Sequence, residues 1–176
     1  MRKLKMDELN RVGIEQFRKQ EKLPIVVVLD NIRSQHNIGS LFRTADAFNA
    51  SKLLLCGITA TPPHREINKT ALGATESVEW KYHESIVAAL TELKSEGYQI
   101  VAVEQAVGSI PLHCFRPEKG EKLALVFGNE VMGVSDQAME AVDACVEIPQ
   151  FGTKHSLNVS VTAGIVLWTF FMRSIE

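Results

Sequence analysis

Four short apolar runs constrain this chain most: 25–29 (IVVVL), 52–56 (KLLLC), 99–103 (QIVAV) and 123–127 (LALVF). A strand with one wet face alternates apolar and polar residues, whereas a strand covered on both faces does not. Between these runs lie stretches of helical period. One is 40–48, with Leu41, Phe42, Ala45 and Phe48 on its inner face; another is 85–94, stopped by Gly97; a third is 135–142, capped by Ser135 or Asp136. Shorter strands at 78–82 and 145–148 and an apolar helix over about 157–173 complete the pattern. Strands alternating with helices indicate an α/β domain, with a mostly parallel sheet and helices on both faces. An N-terminal helix is expected over 6–20. The segment 59–76, with Pro62, Pro63 and Gly73, reads as a long mobile loop around a helical turn at 67–72, and 107–122 as loop-rich.

The length of 176 residues suits one domain with a real core. Net charge is −2, which does not by itself announce a nucleic-acid binder. Its distribution is uneven: residues 1–22 carry seven Lys/Arg against four acids, and the remainder twelve against seventeen. We therefore divide the chain into a basic N-terminal helical extension, 1–22, and a main domain, 23–176. A basic arm suits a phosphate-rich partner, although a solvated helix has the same composition. Cys56, Cys114 and Cys145 show no CxxC spacing, which argues against a disulfide framework or zinc site. With no secretory leader visible and no run long enough to span a bilayer, a cytoplasmic protein is expected, with no membrane partner.

Three strand-like runs are followed by loops of small and polar residues. The first is Asn37-Ile-Gly-Ser-Leu-Phe-Arg43, the second Gly128-Asn129-Glu130, the third Ser156-Leu157-Asn158 before the last helix. Each has an ordinary reading: Asn37, Ser156 or Asn158 as a helix cap, Gly39 and Gly128 as turn residues, Arg43 on a solvated face. Ligands of parallel α/β sheets bind at the carboxyl ends of strands, where all three loops lie. No GxGxxG follows the first strand and no GxxxxGK[ST] occurs, so a Rossmann or P-loop site is excluded. No cluster of metal ligands is evident, so no metal is expected.

The segments NIRSQHNIGSLFRTADAF (31–48), LALVFGNEVMGVS (123–135) and IPQFGTKHSLNVSVTAGI (148–165) resemble, in order and separation, the three motifs of the SpoU (TrmH-like) family of RNA 2′-O-ribose methyltransferases. The resemblance implies a SPOUT fold with a C-terminal deep trefoil knot, S-adenosylmethionine as cofactor, structured RNA (tRNA or rRNA) as substrate, and a homodimer with the active site near the subunit interface. It places the catalytic arginine at Arg43, with Asn37, Glu130, Ser156 and Asn158 around it. It assigns cofactor binding to Val103, Glu104, Gly128, Ile148 and Leu157. Glu104 and Gln150 depart from the pattern, where relatives more often carry a smaller polar residue and a methionine.

A guanidinium barely deprotonates. Arg43 is therefore expected to grip the target phosphate and stabilise developing oxyanion charge, oriented by Glu130. RNA contacts are expected from the basic extension, the dimer surface and the 59–76 loop, including Arg65 and Lys69. Two alternatives stay open: a non-catalytic RNA-binding or assembly protein on the same fold, and a different nucleotide-binding α/β enzyme.

Overall fold

The computed structural model describes residues 1–175; Glu176, the last residue of the expected main domain, lies outside them. Among the described residues seven strands form one sheet: β1 Leu23–Asp30, β2 Ala50–Cys56, β3 Glu79–His83, β4 Gln99–Val103, β5 Ile110–Pro111, β6 Leu123–Phe127 and β7 Ala144–Glu147. Their order is β3-β2-β1-β6-β4-β7-β5, parallel throughout. The chain walks outward from β1 to β3, returns to β4, and then inserts β6 between β1 and β4. The uninterrupted apolar runs are explained by cover on both faces. Ile25, Val27 and Leu29 join one core cluster, and Val26 and Val28 the other.

The first face is covered by α2 (Gln35–Ala47), α3 (Arg65–Ala71) and the last helix, α7 (Val159–Ile175). Opposite lie α5 (Ile86–Ser95) and the single turn α6 (Asp136–Met139). Ser85 and Ser135 cap these two, each accepting a backbone N–H three residues on. In α7, Ala163, Val166, Leu167 and Phe170 are buried at helical spacing. Full burial of each large side chain is worth roughly 1.5–3 kcal/mol. Arg173 ties the far end of α7 to the loop-rich segment, donating to the carbonyls of Phe115 (2.6 Å) and Leu112 (3.2 Å).

Several boundaries differ from those expected. The N-terminal segment is a 3-10 turn at Met6–Leu9 and a separate helix α1 at Ile14–Lys19, because Asn10 adopts the left-handed conformation and Gly13 starts the second helix. Helix α2 begins five residues early, capped by Ser34, whose Oγ accepts the Asn37 N–H. Gly39 is therefore helical rather than a turn residue. A Cβ there would lie 2.1 Å from Thr70 Oγ1 and 2.2 Å from the Ile67 carbonyl, so the glycine permits close approach of α2 and α3. The 59–76 segment is not a mobile loop. It folds as α3 and the turn α4 (Ala74–Ser77), with Ile67 and Ala71 buried. Helix α6 stops at Met139, short of the expected 142, and the two-residue edge strand β5 was not foreseen. Cys145 is half-buried and Cys56 fully buried. Among the described residues no helix is long and apolar enough to cross a membrane.

Candidate active site

The carboxyl end of the sheet is knitted by polar side chains. Asp30, fully buried at the end of β1, accepts from the Ser135 N–H (2.8 Å) and from its neighbour Asn31 (2.8 Å). The Asn31 carbonyl accepts from Asn129 Nδ2 at 2.7 Å, which draws the β6 loop against the β1 loop. Asn129 Oδ1 in turn accepts the N–H groups of Val131 and Met132, and its backbone exchanges two 2.9 Å hydrogen bonds with Gly133. The turn is so tight that a Cβ on Gly128 would lie 2.0 Å from the Val134 nitrogen. Only glycine fits there.

This turn delivers Glu130 to the start of α2. Its carboxylate accepts the N–H groups of Arg33 and Ser34, both at 3.0 Å, and Nδ2 of Asn37 at 2.9 Å. Partial burial pushes the Glu130 pKa upward, but the donors Arg33, Asn37 and Ser34 together outweigh it and hold the carboxyl below its ordinary value. A negative charge at this helix end is also favoured by the helix dipole. Asn37 Oδ1 then accepts from Asn158 Nδ2 at 3.1 Å. Asn158 also caps α7, its Oδ1 accepting from the Ser160 N–H at 2.9 Å. One carboxylate and two amides thus bring the three polar loops together.

Behind this relay lies a cavity of about 760 Å³ at the ends of β4, β6 and β7. Val103, Phe127, Ile148, Leu157 and Val159 supply apolar wall, and Gly128 and Gly133 leave backbone close at hand. Ser156 and Asn158 line one side. The charged residues lining it are Glu104, Glu130 and Glu147, with His155 and without any Lys or Arg. An apolar slot with exposed backbone suits a flat heteroaromatic ring, and an acidic lining suits a cation. An adenosyl sulfonium combines the two. Glu104, the residue that departs from the family pattern, folds over Gly133 and accepts the Val134 N–H (3.0 Å) and the Gln105 N–H (2.7 Å).

Arg43 is placed elsewhere. At about 100° per residue it stands roughly 240° around α2 from Asn37. It is exposed in a second cavity of about 770 Å³, with Asp46, residues 9–12, Ile14 and the turn 72–74. Within one chain Glu130 therefore holds Asn37 and the α2 backbone rather than Arg43. Among the described residues no three His, Cys, Asp or Glu side chains gather as a metal site. Sequence reasoning missed Asp30 and Asn129, which carry the loops; a polar residue ending an otherwise apolar run was the available signal.

The sequence profile described as "SpoU rRNA Methylase family" matches residues 24–168. The chain belongs to the SpoU rRNA methylase family. Among SpoU relatives, the 23S rRNA (guanosine-2′-O-)-methyltransferase RlmB of Neisseria meningitidis is 35% identical over 144 residues, covering 82% of this chain and 56% of that protein. The tRNA (guanosine(18)-2′-O)-methyltransferase of Aquifex aeolicus is 34% identical over 158 residues, covering 88% and 71%. The chain thus spans little more than half the length of the Neisseria relative. A solved SpoU-like structure, the AdoMet-bound rRNA methyltransferase of Sinorhizobium meliloti, superposes with a TM-score of 0.81 at 27% identity, covering 91% of this chain and 60% of that one. The α/β fold class expected of the three motifs is the fold this SpoU chain has.

Proposed function

We propose that this chain transfers a methyl group from S-adenosylmethionine to a ribose 2′-hydroxyl of tRNA or rRNA. The observation that carries the reading is the Glu130–Asn37–Asn158 relay, which joins the three family motifs beside the cavity that Glu130 and Asn158 line. The cofactor supplies an activated methyl on a positively charged sulfur. Val103, Ile148 and Leu157 hold its adenine between apolar surfaces, the Gly128 backbone approaches it closely, and Glu104 lies along the same wall. The carboxylates favour the sulfonium over the neutral thioether left after transfer, which assists product release. Asn37, Ser156 and Asn158 position the ribose, and the fixed amides of Asn37 and Asn158 align it for displacement.

Arg43 acts from a second copy of the chain. A homodimer is supported by the outer face of α7, where Val161, Ile165 and Trp168 are exposed and Trp168 packs with Phe48, just past the end of α2, and with Phe171. In the dimer the Arg43 guanidinium grips the phosphate and stabilises the negative charge that develops on the 2′-oxygen. The basic extension adds further RNA contacts. Arg2, Arg18 and Lys22 are engaged locally, by the Glu8 carboxylate, by the Glu76 carbonyl, and by the Phe17 carbonyl and Asn49, which leaves Lys3, Lys5, Arg11 and Lys19 for phosphates. Three free cysteines suit a reducing cytoplasm.

Calorimetry with S-adenosylhomocysteine, followed by transfer of labelled methyl groups to total RNA, tests the reading. Binding and ribose-specific labelling are expected. Binding of RNA without binding of S-adenosylhomocysteine would favour the non-catalytic alternative.

A further inference from the structure

Between Ile148, packed on the core, and Asn158, the cap of α7, the chain forms an arch whose residues 151–158 are all exposed. Gln105 Nε2 fixes it by donating to the His155 carbonyl at 2.7 Å. Gln150 and His155 to Asn158 line the cavity, whereas Phe151, Gly152, Thr153 and Lys154 do not. Phe151 is 98% exposed, the most exposed aromatic ring among the described residues.

We propose that this arch holds the substrate strand, the Phe151 ring stacking on a base beside the methylated ribose and Lys154 taking a flanking phosphate. The proposal rests on the reading of the chain as an RNA methyltransferase. Charge complementarity favours a nucleic acid over a protein partner. From Ile148 to Met172 there is no Asp or Glu, and Lys154 is the one fully charged side chain. The cavity floor carries Glu104, Glu130 and Glu147, which repel phosphates, so the sugar-phosphate chain must be held at the rim. Phe151 has Gln150, Gly152, Thr153 and Lys154 as sequence neighbours, an isolated ring in polar surroundings. A protein interface needs a contiguous apolar patch, whereas a single base needs only one flat ring, and any base will serve.

The test compares Phe151→Ala, Phe151→Trp and Lys154→Ala with the unaltered protein. Affinity is read on a single-stranded RNA of about ten nucleotides carrying one 2-aminopurine, whose fluorescence stacking quenches. Phe151→Ala should weaken binding and raise KM for RNA roughly five- to hundredfold, abolish the quenching and leave S-adenosylhomocysteine binding unchanged. Phe151→Trp should restore both RNA affinity and quenching. Lys154→Ala should lower the salt dependence by about one phosphate contact. Unchanged RNA affinity in Phe151→Ala, or dissociation of the homodimer in light scattering, would overturn the proposal. If the unaltered protein binds no S-adenosylhomocysteine, the parent reading fails first, so the two failures are distinct.

Discussion

Asn158 Nδ2 donates to Asn37 Oδ1 at 3.1 Å, joining the mouth of the last helix to the first turn of the second across 121 positions of sequence. Asn37 is held on both sides, since its own Nδ2 donates to Glu130. An amide held this way has one orientation, and the edge of the cavity formed by Asn158 inherits it.

Asn37→Ala should therefore reduce methyl transfer by a hundredfold or so, as loss of substrate alignment does. S-adenosylhomocysteine affinity, read by calorimetry, should change by less than about threefold, because Asn37 does not line the cavity wall. Stability should fall by about 1–3 kcal/mol as Glu130 loses a donor.

Glu130 links the same relay to pH. Its folded pKa is depressed, so its stabilisation is fully present above the unfolded value of about 4.3 and is lost as pH falls through the lower folded value. Glu130→Gln should lower Tm at neutral pH. The gap between the two proteins should close on acidification below about pH 4. A gap independent of pH would show that the charge contributes nothing.

Subunit complementation tests where Arg43 acts. Arg43→Ala and Asn37→Ala should each be inactive alone. Mixed and allowed to exchange subunits, they should recover about a quarter of normal activity, since half the dimers are mixed and each has one intact site. Recovery is expected only if the arginine serves the neighbouring subunit's cavity. Trp168→Glu should give a monomer in light scattering, with transfer lost and S-adenosylhomocysteine binding kept.

Gly39→Ala should force α2 and α3 apart, costing about 1–3 kcal/mol and lowering Tm by roughly 3–10 °C. Combining it with Thr70→Ala should restore only part of the loss, because the Ile67 carbonyl still meets the new methyl group.

What could be read from the sequence follows from how each element gets its stability. Strands β1, β4 and β6 announce themselves because burial on both faces leaves no polar positions to confuse the pattern. Helix α3 shows only as the turn expected at 67–72, because just Ile67 and Ala71 are fully buried in seven residues and two prolines precede it. Reading Asn37 as a cap shortens α2, whose true cap is Ser34 three residues earlier. The polar loops were legible as a set, but their hydrogen bonds were not. Pairing Glu130 with Arg43 was reasonable from charge alone; helical phase sends that arginine to another face.

Strand β6 slots between β1 and β4, with Leu123 beside both Ile25 and Gln99. During synthesis the first half of the molecule therefore waits with an unfilled gap at its centre, two bare strand edges on either side of it. Such edges invite pairing with other chains, and closing the gap needs contacts distant in sequence, which form slowly. Refolding from denaturant should consequently be slow and sensitive to protein concentration, and the cofactor cavity should be among the last features to appear.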